Sequence, residues 1–525
     1  MPLHRSTLRS QLTQRDKPWD ILVIGGGATG VGVAIDAASR GYQVALLEQS
    51  DLGKGTSSRS TKLIHGGVRY LQQGNVPLVM EALKERGILR RNAPHLVHDL
   101  GFVVPNYQWW EAPFYGIGMK VYDRLAGRYG FGRSRNLSVE NTLEQIPTIE
   151  RDGLRGGVMY HDGQFDDARL LIHMALTATG QGATLLNHCG VTGLLQDGEG
   201  FVRGVEAEDR ETGEQFQVEA RSVVNATGVF TDGIRKLDSA QSPPVIQASQ
   251  GVHLVLDSSF LPGDSAIMVP QTDDGRVLFA IPWNGRVLVG TTDTPVSEVS
   301  LEPRALPEEV DFLLRHAARY LTKDPNPEDV LSIFAGLRPL VSTEGVGEGS
   351  TAAISREHSI LISDSGLLTI AGGKWTTYRK MAEEVVEHAI TLADLPPRPC
   401  VTATLPIHGM HPNSQRFGEL AFYGADAPAV DALLKSHPEF GEPLHPRLPV
   451  RKGEVVWAAR EEMARTVEDV LARRVRGLQY DARASMEAAP LVAALLAKEL
   501  EREEGWAEAQ VEAFRGLAQG YLLTP

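Results

Sequence analysis

The sequence predicts an α/β protein in which the pieces of a parallel layer are interleaved with an antiparallel layer and followed by a mainly helical C-terminal region. Three observations carry this. A short apolar strand, Asp20-Ile-Leu-Val-Ile24, runs at once into glycines and then into a helix ending near Arg40-Gly41, and residues 43–47 supply a second strand. Much later, two apolar runs at 276–283 and 286–289 flank Asn284-Gly285, the strongest short signal for a β-hairpin. Beyond residue 400, Val456, Ala459, Met463, Val467, Val470 and Leu471 recur at helical spacing, and residues 491–500 and 511–517 behave similarly.

Taken in order, the first strand, helix and second strand form a βαβ unit. Residues 218–226 read as a strand running into Thr227-Gly228, and residues 367–370 as another, followed by Gly372-Gly373 and a helix over about 376–392. Antiparallel strands inserted among these pieces indicate two interleaved domains. The run Leu395-Pro-Pro-Arg-Pro399 then marks a linker. The expected division is a tail at 1–19, a discontinuous nucleotide domain at 20–75, 150–240 and 340–392, a cap domain at 76–149 and 241–339, and a helical domain at 393–525.

Composition limits the function classes. The chain has 525 residues, 42% apolar and 22% charged, enough for a large core divided into two or three domains. Its two cysteines, Cys189 and Cys400, allow no disulfide framework and no thiolate metal site, so a reducing, cytosolic setting is expected. No metal is expected either, because the 15 histidines lack the spacing of His-Glu-x-x-His and similar motifs. The N-terminus lacks the apolar core of a secretion signal, and residues 21–35 are too short and glycine-rich to span a bilayer. A formal charge of −14 argues against nucleic acid as a partner and means that an anionic substrate needs a local basic pocket.

Gly25-Gly-Gly27-Ala-Thr-Gly30 fits the G-x-G-x-x-G fingerprint and lies between strand and helix, where its mechanism requires it. Gly25 makes the tight turn, Gly27 admits a pyrophosphate to the backbone, and Gly30 permits close helix–strand packing. The helix N-terminus then faces the phosphates. Glu48 ends the second strand, 18 residues after Gly30, where an acid can accept hydrogen bonds from a ribose. The fingerprint alone does not choose between FAD and NAD. Its N-terminal position, with the fold completed hundreds of residues later, favours FAD. Thr227 and Gly228 would bring a third strand end to the same pyrophosphate.

A second cluster, Gly55-Thr-Ser-Ser-Arg-Ser-Thr-Lys-Leu-Ile-His-Gly-Gly-Val-Arg-Tyr70, concentrates hydroxyls, cations and paired glycines. Thr56, Ser57 and Ser58 could cap a helix beside phosphate, and Gly66-Gly67 could leave room for a flat ring. This segment closely resembles the aerobic FAD-dependent glycerol-3-phosphate dehydrogenase family. So do residues 158–169, Asn225-Ala-Thr-Gly228, Val289-Gly-Thr-Thr-Asp293, Gly336-Leu-Arg-Pro-Leu340 and Gly372-Gly-Lys-Trp-Thr-Thr-Tyr-Arg379, in the family's order over about residues 18–390.

The resemblance implies a glutathione-reductase-like FAD domain interleaved with an antiparallel substrate domain, then a helical C-terminal domain. It also implies noncovalent FAD, peripheral attachment to the cytoplasmic face of a membrane, and oxidation of sn-glycerol 3-phosphate to dihydroxyacetone phosphate with electrons passed to a quinone. Carried over by motif, the substrate-site residues are Arg69, Tyr70, His253, Arg338, Arg356 and Lys374, while His65, Gly66, Gly67, Gly373, Lys374 and Thr376 join the cofactor side. Cations from four distant segments suit a small phosphate in an acidic protein. Arg338 and His253 are expected at the reacting hydroxyl, and Arg69, Arg356 and Lys374 at the phosphate. A dioxygen-using glycerol-3-phosphate oxidase, an amine or amino-acid oxidase and a catalytically idle flavin protein are the alternatives. Quinone type and oligomeric state stay open, a homo-oligomer included.

One further segment, residues 107–135, holds eight aromatic residues together with Lys120, Arg124, Arg128, Arg133 and Arg135 against only Glu111 and Asp123. Aromatic rings favour the headgroup boundary and cations favour anionic lipid, so this is either an interfacial anchor or packing within the cap domain.

Overall fold

The computed structural model describes residues 5–67, 71, 75–273, 275–341 and 358–523. Two sheets organise the chain, with eight and ten strands among the described residues. In the first, Trp19–Ile24 lies at the centre, parallel to Val44–Leu47 on one side and to Gln215–Asn225 on the other. Thr184–Leu186 and Leu368–Gly372 extend the parallel set outward, and His358–Ile362 closes one edge antiparallel. A strand covered on both faces needs apolar residues throughout, which is why Ile21, Leu22 and Val23 are fully buried. Helices Ala28–Ser39, Asp167–Gly180 and Tyr378–Leu392 share one apolar core with this sheet. Gly32 permits their close approach, since a Cβ there would stand 2.8 Å from the ring of Tyr378.

The second sheet is largely antiparallel. Its long pair, Ile246–Asp257 and Val330–Val341, sets Ser249 opposite Arg338 and His253 opposite Phe334. The hairpin Leu278–Trp283 and Arg286–Gly290 forms as its turn sequence demands, with Asn284 and Gly285 both left-handed at φ 47° and 73°. Strands Leu63–Ile64 and Gly156–Phe165 also belong to this sheet, although the sequence division placed residues 20–75 and 150–240 with the nucleotide unit. The chain changes sheet at Lys62 and again after Phe165. A buried ion pair, Lys62 Nζ to Asp167 Oδ2 at 2.7 Å, ties the two crossings together.

The C-terminal region is helical but not as one uninterrupted repeat. Helix Lys452–Glu461 stops, Met463 turns left-handed at φ 59°, and a wide-turned helix follows at Asp469–Arg474. Asp469 causes the restart by accepting the backbone N–H groups of Arg465 and Thr466. Helices Ala482–Glu499 and Trp506–Ala518 complete the region, which shares its core with the outer face of the antiparallel sheet.

Candidate active site

At the C-terminal end of Trp19–Ile24 the three fingerprint glycines each have a steric reason. A Cβ on Gly25, already at φ +110°, would meet the Ala226 carbonyl at 2.7 Å, and one on Gly30 would meet the Gly25 carbonyl at 2.0 Å. Gly27 is the N-cap of helix Ala28–Ser39 and brings no capping side chain, so the helix N-terminus opens onto a cavity of about 430 Å³. Gly25, Gly27, Glu48, Thr56, Ser57, Thr227, Gly228, Gly373 and Lys374 all line that cavity. This arrangement fits a dinucleotide: helix N–H groups for pyrophosphate, glycine backbone for close approach, and a carboxylate at one end.

Glu48 is more constrained than its spacing suggests. Its two carboxylate oxygens accept separate backbone N–H groups, from Gly26 at 2.6 Å and Ser50 at 2.8 Å. Burial pushes its carboxyl above the ordinary value, and those two N–H groups pull against that rise.

The hydroxyl cluster divides its duties differently from the expectation. Thr56, Ser57 and Ser58 form a single three-residue turn and do not start a helix. Ser57 Oγ accepts the Ala28 N–H at 2.9 Å, so it serves the fingerprint helix, and Thr56 donates to the Leu337 carbonyl at 2.6 Å. Ser58 is turned away from the cavity, its carbonyl taking hydrogen bonds from Lys62, Arg476 and Gln479. Gly66 is glycine because Leu83 and the Tyr122 hydroxyl occupy the space of a Cβ, each at 2.4 Å. His65, Gly66, Gly67 and Thr376 do not line the cavity. The Thr376 hydroxyl reaches the His65 carbonyl at 3.4 Å.

Two of the substrate-side residues, His253 and Arg338, lie on the antiparallel sheet. His253 and Arg338 share the face on which Gly251 lies between them. A Cβ on Gly251 would stand 2.3 Å from Arg338 Nη2. Arg338 donates to the Thr292 carbonyl at 3.0 Å, to Thr291 Oγ1 at 3.2 Å and, at 3.5 Å, to Asp293 Oδ1, which also accepts the Ser249 hydroxyl. Burial holds the His253 ring well below its ordinary pKa, with the charges of Lys62 and Arg338 adding to the effect. The strand that carries Arg338 abuts the cavity, because Pro339 lines it and Leu337 accepts from Thr56. Arg69, Tyr70 and Arg356 lie outside the described residues.

Several polar residues at this face lie in segments the sequence singles out but had no role of their own there. Thr61 meets His253, and the 291–294 segment is held from behind by buried Glu309, which accepts the hydroxyls of Thr292 and Thr294 at 2.8 and 2.6 Å. The hydroxyl-rich Gly-Thr-Thr-Asp run was the available signal. Elsewhere Asp51, His188 and Asp469 come within metal-ligand reach of one another. Arg473 and Arg474 bind the Asp51 carboxylate, and His188 Nε2 contacts Asp469 at 2.9 Å, so the two guanidinium groups already balance these carboxylates.

This fold and cavity define a flavin-binding oxidoreductase. The family model described as FAD dependent oxidoreductase matches residues 20–379, and that described as the C-terminal domain of alpha-glycerophosphate oxidase matches residues 368–511. The mitochondrial glycerol-3-phosphate dehydrogenase of Mus musculus is 40% identical over 534 residues, covering 95% of this chain and 72% of its own length. The corresponding protein of Schizosaccharomyces pombe is 37% identical, with 99% and 89% covered. The X-ray structure of the glycerol-3-phosphate dehydrogenase from Bacillus halodurans complexed with FAD matches with a TM-score of 0.81 at 30% identity, covering 99% of this chain and 98% of that one. The chain belongs to the FAD-dependent glycerol-3-phosphate dehydrogenase family, as its motifs imply.

Proposed function

We propose that this enzyme oxidises sn-glycerol 3-phosphate at C2 to dihydroxyacetone phosphate and passes the electrons to a membrane quinone. Family membership supports the reaction. The observation that carries the site is that His253 and Arg338 share one sheet face and that Pro339, the residue after Arg338, lines the dinucleotide cavity, as Lys374 does. FAD, held noncovalently by the fingerprint glycines and Glu48, supplies the acceptor for the C2 hydride.

His253, neutral when the site is empty, takes the hydroxyl proton; an incoming phosphate dianion offsets the two nearby cations and makes the ring more basic. Arg338, its fork fixed by Thr291 and Thr292, stabilises charge developing on the C2 oxygen. Arg69, Arg356 and Lys374 hold the phosphate end.

The membrane surface is assigned to helix Glu111–Ala126. Trp110, Phe114, Ile117 and Val121 follow helical spacing along one exposed face, next to Trp109, which is 77% exposed. Lys120, Arg124 and Arg128 are exposed alongside them. Tyr115, Met119 and Tyr122 are buried and pin the opposite face, so part of the aromatic content is core. No described helix is long and apolar enough to cross a membrane. Peripheral attachment at the cytoplasmic face suits these features.

Anaerobic mixing with sn-glycerol 3-phosphate should bleach the flavin with equimolar dihydroxyacetone phosphate, while amino acids should leave it yellow. A short-chain quinone should reoxidise it faster than dioxygen does. Steady turnover with stoichiometric hydrogen peroxide and no quinone would select the oxidase instead.

A further inference from the structure

His253 has two ring nitrogens in different surroundings. Nε2 lies 2.9 Å from Thr61 Oγ1, whereas Nδ1 is buried with no partner among the described residues. The ring is stacked on Phe334, with centroids 5.0 Å apart and planes 18° from parallel. Gly290 closes the opposite side: a Cβ there would stand 2.3 Å from His253 Cδ2. The ring therefore sits in a slot, with Thr61 as its one hydrogen-bond partner among the described residues.

A neutral imidazole carries one N–H and one lone pair, and the partner of one nitrogen decides which is which. For Nδ1 to accept a proton, Nε2 must carry the hydrogen, and an acceptor must stand beside it. Thr61 Oγ1 supplies that acceptor. Once Nδ1 is protonated, Nε2–H still donates to the same oxygen, so the contact serves both states. A carboxylate in place of the hydroxyl would favour the imidazolium before substrate arrived.

Thr61 is itself held firmly. On one side the Ser60 hydroxyl donates to Asp167 Oδ2 at 2.7 Å, and on the other the Lys62 ammonium joins Asp167 to the Ser58 carbonyl, at 2.7 and 2.9 Å. Ser58, Lys62 and Asp167 are buried, so the strand entry that presents Thr61 is fixed by an ion pair and not left to a loop.

We propose that Thr61 is a positioning residue for the oxidation: its hydroxyl accepts from His253 Nε2–H, orients the ring and leaves Nδ1 to receive the proton of the C2 hydroxyl. The substrate O–H bond breaks, the Nδ1–H bond forms, and the C2 hydride leaves to FAD. This rests on the placement of His253 at the reacting centre.

The test is a double-mutant cycle on the FAD-loaded enzyme, read as the limiting rate of anaerobic flavin reduction, the substrate affinity and the FAD content. Thr61→Val should slow reduction by about 10- to 100-fold, the usual scale for losing a partner that orients a functional histidine. FAD content and substrate affinity should hold, and Thr61→Ser should restore most of the rate. In a His253→Asn background, Thr61→Val should cost nothing further, because its effect passes through the ring.

A wild-type rate in Thr61→Val, or the same fold loss with His253 already replaced, overturns the proposal. An unchanged rate in His253→Asn alone instead overturns the placement of His253. If valine lowers FAD content or the thermal midpoint, Thr61→Ala, which only deletes atoms, replaces it in the same cycle.

Discussion

Glu48 shows how a single residue can carry a duty that its spacing does not reveal. Spacing marks it as a ribose ligand, yet it also holds the Gly26 and Ser50 N–H groups, one on each oxygen. A glutamine offers one carbonyl oxygen and must turn its NH₂ toward the other backbone N–H. Glu48→Gln should therefore weaken FAD binding by roughly 1–3 kcal/mol, through the loss of a charge-assisted acceptor and distortion of the glycine turn. Titrating FAD into the apoprotein by flavin fluorescence measures this. Equal affinity in the variant and the wild type would remove Glu48 from the cofactor site.

At the scale of elements, helix Glu111–Ala126 presents two different faces. Its buried face is legible as ordinary amphipathic packing, but the exposed row of Trp110, Phe114, Ile117 and Val121 has no internal use. Replacing Trp109, Trp110 and Phe114 together with serine should leave FAD content and turnover with a soluble acceptor near normal. Sedimentation with anionic liposomes and quinone-linked turnover should both fall. Undiminished liposome binding would rule this helix out as the anchor, and loss of flavin would mean that these rings support the fold. Sequence alone left this choice open, because composition counts aromatic residues without saying which way each one faces.

The whole molecule is joined by buried and half-buried charge. Asp51, three residues beyond Glu48, takes Arg473 and Arg474 from the helical region, and Glu211 takes Arg5, Arg465 and Arg502 from both ends of the chain. Burial alone would raise the Glu211 carboxyl, but the three guanidinium groups outweigh it and hold it down at about 2, below an ordinary 4.5. A carboxyl depressed on folding contributes stability above its unfolded pKa, and that contribution disappears as the pH falls through the folded value. Allowing for its partial exposure, the contribution is roughly 1–3 kcal/mol at neutral pH. The thermal midpoint of Glu211→Gln should thus lie below wild type near neutrality, with the gap narrowing as the pH falls from about 5 to about 3. A gap that stays constant across that range would show that the carboxylate charge is not what joins these segments.

The sequence by itself determined the features whose physics is local: the glycine turn into helix Ala28–Ser39, the left-handed Asn284-Gly285 hairpin, and the helical period beyond residue 400. In each, a few neighbouring residues fix the backbone that they can adopt. Its motif order also identified the family. Tertiary structure decided which sheet receives Gly156–Phe165, that Ser58 turns from the cavity, that Gly66 makes room for Tyr122, and that Thr61 meets His253 across 192 residues. Those outcomes depend on strand register and on how buried charge is neutralised. Both are set by free energy summed over distant segments, so no short window of sequence contains them.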